Sequence, residues 1–189
     1  MPEDSEPTEA AVLAVLDAYF GKEAVRAAAR RRLAEWGDSA LPVLRALASR
    51  PSVARKFAMT LAAAIREVGT EASSELLVEI LAGRLALHRS HALQVLRPTL
   101  SLGIEPRCAT LLAQPGLEEA VLGFLGATNW NDVCAVAEIA AARGWTSAVP
   151  QLRELLRHEH VDVRKAAARA LGSLTGEPVP LDLPALELP

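Results

Sequence analysis

Apolar residues recur along this chain three or four positions apart, with polar residues between them, which is the pattern of amphipathic α-helices. Alanine and leucine dominate the apolar positions, and both are strong helix formers. No stretch shows the strict alternation that is typical of a half-buried strand. The pattern therefore predicts an all-α protein.

Five glycines recur at a near-regular interval and follow the helical stretches. They are Gly37, Gly69, Gly103, Gly144 and Gly176, separated by 32, 34, 41 and 32 residues. A glycine just past a helix end can adopt the left-handed conformation that satisfies the last carbonyls. A period of this length is typical of a solenoid, in which each unit buries a face against the next.

The glycines divide the sequence into predicted helix pairs. The regular pairs are 8–20 with 22–36, 39–50 with 52–68, 71–83 with 86–102, and 147–157 with 160–174. The long interval predicts an insertion in the fourth unit, with helices at 106–113, 116–126 and 131–143. Pro98 is expected to kink its helix. We expect a flexible N-terminus at 1–7, a repeat domain at 8–176 and a Pro-rich extended tail at 177–189.

The last unit, SAVPQLRELLRHEHVDVRKAAARALGSLTG, resembles a HEAT repeat of the bacterial type that also occurs in phycobilin-lyase-like proteins. Residues 39–47 align with residues 147–155 with six of nine positions identical, and residues 25–36 align without a gap with 163–174. The resemblance implies a right-handed α-α superhelix of about five HEAT-like helix pairs. It places the first helices on a convex face and the second helices on a concave face.

Several positions in the repeats are expected to be structural. Pro42 and Pro150 suit the first turn of a helix, where a missing N–H is not needed. An arginine recurs at Arg26, Arg55, Arg89 and Arg164. The resemblance implies that this arginine, with a nearby aspartate such as Asp162, ties adjacent repeats together. For Arg164 we expect bonds to Asp132, Asp162 or backbone carbonyls, whereas the fourth unit has Cys134 in place of the arginine.

Charge is unevenly distributed although the net charge is only −3. Residues 21–60 hold nine Lys and Arg against three Asp and Glu, and the rest of the chain is acidic. Two cysteines without CxxC spacing favour reduced core thiols. The absence of a signal-like or membrane-spanning apolar run predicts a cytoplasmic protein. Arginine outnumbers lysine 17 to 3, which favours a bacterial source with a GC-rich genome.

The sequence offers three further sets of candidate chemical residues, and none of them predicts a metal or cofactor. His88 and His91 could share a helix face, but zinc needs two more ligands. Cys108 and Cys134 could be nucleophiles, but no Cys-His arrangement is evident. The cluster at 129–132 is typical of a helix N-cap with a packed tryptophan; it also resembles the tryptophans and aspartate that HEAT-type DNA alkylation-repair glycosylases use on a basic concave face.

Polar positions on the second helices predict a partner-binding ridge on the concave side. They are Arg31, Lys56, Thr60, Ser90, Gln94, Lys165 and Arg169. We expect an acidic segment of another protein to bind there, so the favoured function is a non-catalytic scaffold, adaptor or regulatory module. The alternatives are nucleic-acid binding or DNA repair through the basic N-terminal half, and a tetrapyrrole (bilin) lyase-like protein. The convex face and the Pro-rich tail remain alternative binding surfaces.

Overall fold

The computed structural model describes residues 7–19, 21–102 and 109–177. These residues form helices and turns, with no strand among them, and adjacent helices pack against one another. They fall into two compact units. Unit 1 holds the described residues of 7–96 and 109–117, and unit 2 holds those of 97–102 and 118–177.

Unit 1 is built from consecutive helix pairs. Its helices are α1 (Glu9–Ala18), α2 (Glu23–Trp36), α3 (Leu41–Ser49), α4 (Pro51–Lys56), α5 (Ala58–Val68), α6 (Glu71–Leu81), the first part of α7 (Arg89–Leu102) and α8 (Ala109–Leu112). The second helices α2 and α5 pack on each other, and the first helix α3 contacts both α1 and α6. First helices therefore pack on first helices and second helices on second helices, as the predicted HEAT-like solenoid requires.

Unit 2 contains the HEAT-like ending of the chain. Its helices after α7 are α9 (Leu117–Leu122), α10 (Trp130–Arg143), α11 (Val149–Leu155) and α12 (Val161–Thr175). The second helices α10 and α12 pack along each other, and α11 packs on α12. Small residues allow this close approach, since Ala166, Ala167 and Ala168 are all buried on α12.

Aliphatic side chains fill both interiors. In unit 1 the first-helix residues Leu44 and Leu47 and the α5 residues Leu61 and Ile65 are fully buried. Burial of a side chain of this size typically stabilises the fold by about 1.5–3 kcal/mol. The helix face that carries these aliphatic residues therefore points toward the interior of the unit.

The predicted helix boundaries lie within three residues of the observed ones except at three places, one of which is the end of the helix predicted over 116–126, since α9 stops at Leu122. The helix expected over 52–68 is two helices, because Phe57 leaves helical geometry with φ −112° and ψ 22°. The inserted helix expected at 106–113 is described only as α8, since residues 103–108 lie outside the described residues. The predicted terminal segments at 1–7 and 177–189 also lie outside them, apart from Pro7 and Glu177.

The glycine prediction holds at three helix ends. Gly69, Gly144 and Gly176 follow α5, α10 and α12 in the left-handed conformation, with φ of 71°, 68° and 75°. At Gly144 the backbone N–H also reaches the carbonyls of the preceding turn. Gly37 follows α2 with φ 52° and ψ −136°, and Gly103 lies outside the described residues.

Candidate partner-binding surface

Most cations of the basic segment 21–60 are neutralised by carboxylates in the folded chain. Six of its nine Lys and Arg side chains form ion pairs. Four of the carboxylate partners come from outside the segment: Glu9, Asp17, Glu67 and Glu79. Exposed pairs of this kind add little stability, but they reduce the positive field that the sequence alone suggests.

Three cations of this segment have no carboxylate partner among the described residues. They are Lys22, Arg31 and Arg55, and all three are exposed. Arg31 differs from the other two because it lines a groove. The groove encloses about 370 Å³, and α2 supplies four of its lining residues.

The groove of Arg31 follows one stripe of α2 and meets α5. Ala27, Arg30, Arg31 and Ala34 line it from α2, and Glu67 lines it from α5. The spacing i, i+3, i+4, i+7 brings the four α2 residues onto one helix face. Because Ala27 and Ala34 are small, a bound backbone could approach the two arginines closely.

A hydrogen-bonded cluster holds the α5 side of this groove in place. Glu67 Oε1 accepts from the hydroxyl of Tyr19 at 3.1 Å and from Arg66 at 3.1 Å, and lies 3.6 Å from Arg30 Nε. Arg66 also donates to the carbonyl of Val95 at 3.3 Å. Burial raises the pKa of Tyr19, the carboxylate of Glu67 raises it further, and Arg30 opposes both. Arg30 is therefore engaged by Glu67, whereas Arg31 is available to a ligand.

Lys56 and Thr60 do not form the polar pair that their spacing predicts. Lys56 ends α4, where its ammonium lies 3.7 Å from Asp17 and 4.4 Å from the centre of the Phe57 ring. Thr60 belongs to α5 and is only 1% exposed. The break at Phe57 separates the two residues onto different helices, so the i, i+4 rule does not apply. The placement of Thr60 on a surface ridge is wrong.

The remaining ridge residues have different environments. Lys165 and Arg169 are exposed, one turn apart on α12 of unit 2. Ser90 and Gln94 are half-buried on α7 of unit 1. The structure therefore brings Arg31 into a groove in unit 1 and leaves Lys165 and Arg169 as an exposed pair in unit 2.

The recurring arginines do not share one setting. Arg26 pairs with Glu23 on its own helix, Arg55 is exposed and Arg89 is half-buried. Arg164 donates to the carbonyls of His158 and Glu159, each at 2.8 Å. These two bonds close the turn between α11 and α12 within a single repeat.

The prolines occupy the positions that the repeat pattern predicts. Pro42 lies in the first turn of α3 and Pro150 in the first turn of α11. Asp162 is exposed, and its backbone N–H donates to His160 Nδ1 at the start of α12.

The cluster at 129–132 forms a helix N-cap. Asn129 caps α10 by accepting from the N–H of Asn131, and its amide donates to Asp132. Asp132 is 2% exposed, so its carboxylate does not face an open groove. Trp130 stacks on His160, with ring centres 4.2 Å apart. The predicted N-cap is present, but Trp130 is the first residue of α10 and stacks on the next repeat instead of packing back as a staple, and it remains 38% exposed.

The other chemical candidates are isolated. The rings of His88 and His91 lie edge to face at 5.7 Å. Among the described residues, no three His, Cys, Asp or Glu side chains gather closely enough to hold a metal ion. Cys134 is half-buried, and its pKa is raised by burial, then by Asp162 and Glu138; Cys108 lies outside the described residues. None of the helices in the described part of the chain is both long and apolar enough to cross a membrane.

Residues 117–187 match the family model for HEAT repeats. Over this segment the chain is similar to HEAT repeats. The match covers the last unit, which resembles a HEAT repeat in sequence, and part of the fourth unit, and α10 to α12 show the stacking that HEAT repeats require. No curated protein matches the chain. HEAT repeats generally mediate protein interactions and are generally non-catalytic, so the family favours a protein-interaction scaffold.

Sequence reasoning missed three residues of the Arg31 groove: Ala27, Ala34 and Glu67. The first two carry a signal, because their spacing from Arg30 and Arg31 on α2 marks a single helix face. Glu67 carries none, since it joins this face only through the packing of α5 on α2.

Proposed function

We propose that this protein is a non-catalytic scaffold that binds an acidic segment of another protein through the second helices of its repeats. The groove between α2 and α5 is the principal contact in this proposal, with Arg31 as its recognition residue. Within unit 1, Lys56 is a weaker contact because it already lies near Asp17, and unit 2 has its own exposed cations in Lys165 and Arg169 on α12.

The observation that carries the proposal is that Arg31 lies in the α2–α5 groove with no carboxylate partner among the described residues. An exposed guanidinium retains its full donor set and can bind a carboxylate in a bidentate manner. The alanines on either side leave room for the partner's backbone. The neighbouring Arg30 is held by Glu67 and so lines the groove without competing for the partner.

Charge pairing favours a protein partner over nucleic acid. Binding along a phosphate backbone requires several unpaired cations, and six of the nine cations in the basic segment already face carboxylates. Glu67 also lies in the groove, where it would repel a phosphate. A carboxylate is repelled in the same way, but a partner that places one carboxylate beside Arg31 brings fewer negative charges to Glu67 than a strand of several phosphates does.

Fluorescence anisotropy with labelled Glu-rich peptides tests the proposal. We expect saturable binding that Arg31→Glu weakens about tenfold, since reversing one contacting charge costs on the order of 1–2 kcal/mol. Arg55→Glu is the matched control, because Arg55 is also exposed and unpaired in unit 1 but lies outside the groove. Equal weakening by both variants would show that the peptide binds through general charge attraction and would refute a specific role of the Arg31 groove.

Two further measurements separate the alternatives. The triple variant Arg31→Glu, Lys56→Glu, Arg169→Glu should abolish peptide binding while the helical circular dichroism signal is retained. Tight binding of generic duplex DNA with a steep salt dependence would instead support the nucleic-acid function. Retention of peptide binding by the triple variant would refute the proposed surface.

A further inference from the structure

A second groove in unit 1 lies between the first helices α3 and α6. Leu41 and Pro42 line it from α3, and Ala72 and Leu76 line it from α6. It encloses about 440 Å³, within the range of about 300–1,000 Å³ that is common for ligand clefts. It shares no lining residue with the Arg31 groove, so the two are separate surfaces of unit 1.

Equivalent stripes of two successive repeats build this groove. The lining positions at 38, 41, 42 and 45 recur at 72, 75, 76 and 79. Arg45 and Glu79 are 34 residues apart and form an ion pair across the groove. The stacking of repeats therefore aligns two stripes, each of two apolar and two charged residues, and leaves a channel between them.

Carboxylates dominate the polar part of the α3–α6 groove. Asp38, Glu75 and Glu79 line it, whereas Arg45 is its single cation and is already bound to Glu79. Glu75 is exposed and has no ion-pair partner among the described residues. The groove thus carries an excess of negative charge over an apolar floor, opposite in sign to the Arg31 site.

The walls of the groove are held by local hydrogen bonds. Thr70 caps α6 in a reciprocal arrangement with Ser73, and its hydroxyl donates to Asp38. This bond links the start of α6 to the turn before α3. A groove fixed in the free protein lowers the cost of ordering on binding.

We propose that the α3–α6 groove binds a segment of a second partner protein that carries an aliphatic side chain flanked by lysine or arginine. The aliphatic group would contact Leu41, Pro42 and Leu76, and a flanking cation would pair with Glu75. Charge complementarity selects this occupant, because an acidic segment would meet three carboxylates. The protein then holds two partners of opposite charge on separate layers of one unit.

Selection from a random-peptide display library on the full chain tests this inference. We expect a class of peptides with aliphatic residues flanked by Lys or Arg, and its absence would overturn the proposal. Ala72→Trp should abolish binding of this class by filling the groove, and Glu75→Lys should weaken it about three- to tenfold. Glu154→Lys is the matched control, because Glu154 is an exposed carboxylate on the first helix α11 of unit 2.

The remaining outcomes distinguish this site from the proposed function. Loss of cationic-aliphatic binding in Arg31→Glu, with retention in Ala72→Trp, would move the site to the α2–α5 groove and overturn the inference. Equal binding of a variant peptide with alanine in place of its aliphatic residues would also overturn it. If the protein self-associates and Glu75→Lys abolishes this association, a second copy of the chain occupies the groove, and the proposal of a different partner is overturned. Failure of acidic peptides to bind would refute the proposed function alone.

Discussion

Replacement of Glu67 by glutamine should destabilise unit 1 more than any exposed ion pair can explain. One oxygen of Glu67 accepts from Tyr19 and Arg66 and also faces Arg30. Glutamine keeps the shape and one carbonyl oxygen but removes the charge. The change in the free energy of unfolding therefore measures how much the charge of Glu67 contributes to the stability of this cluster.

The magnitude follows from the burial of each partner. The side chains of Glu67 and Arg66 are 12% and 17% exposed, so solvent screens their interaction only in part. Arg30 is 45% exposed and contributes less. A hydrogen bond to a charged group contributes about 1.5–3 kcal/mol, and an exposed ion pair about 0–1 kcal/mol. Since glutamine retains an acceptor, we expect Glu67→Gln to lose on the order of 1–2 kcal/mol.

Urea unfolding followed by circular dichroism measures this loss, and Glu35→Gln provides the control. Glu35 pairs with Arg32 at 3.3 Å, but both side chains are more than half exposed. The control should therefore change the free energy of unfolding by less than about 0.5 kcal/mol. Equal losses in the two variants would refute the argument that burial decides the strength of the cluster.

The single tyrosine gives an independent measurement of the same contact. Burial and Glu67 raise the pKa of Tyr19 above its ordinary value of about 10. The raised pKa means that Tyr19 contributes stability at pH values below about 10, and that this contribution is lost as the pH rises through the folded-state value. Glu67→Gln should lower the midpoint of tyrosinate absorbance, and an unchanged midpoint would contradict the assigned contact.

Two further outcomes are expected in unit 2. Arg164→Ala should cost on the order of 1 kcal/mol, because it removes the donor to two carbonyls of the α11–α12 turn, one part-buried and one exposed to water; an unchanged thermal midpoint would contradict a structural role for Arg164. In a Cys108→Ser background, Cys134 should be alkylated more slowly than a free thiol at neutral pH, since burial raises its pKa and Asp162 raises it further. Asp162→Asn should speed that alkylation. An alkylation rate equal to that of a free thiol and unchanged in Asp162→Asn would contradict this account.

Local sequence patterns were sufficient to predict most of the helices. The periodicity of alanine and leucine gives the helices, and the glycines after α5, α10 and α12 mark where they end. Pro42 and Pro150 mark helix starts for an equally local reason, the absence of a backbone donor. These features depend on the conformational preference of one residue or on spacing within one helix, so they can be read without tertiary contacts.

Side-chain direction was less predictable where a helix is interrupted. The spacing of Lys56 and Thr60 predicts a shared face, but the break at Phe57 turns Thr60 into the core. Nothing in the local composition marks Phe57 as a helix breaker. The Phe57 ring is buried by tertiary packing, and the periodicity of a single segment carries no information about such contacts.

Tertiary contacts decided four of the six ion pairs of the basic segment, whereas Arg26–Glu23 and Arg32–Glu35 form within α2. The sequence shows a basic segment at 21–60, but carboxylates from distant positions such as Glu9 and Glu79 meet its arginines only after the helices stack. The stacking leaves Arg31 unpaired beside a groove and gathers carboxylates between α3 and α6. Sequence periodicity therefore determined the repeats of this protein, whereas contacts across repeats determined which of its charges can bind a partner, because an ion pair depends on distance in space.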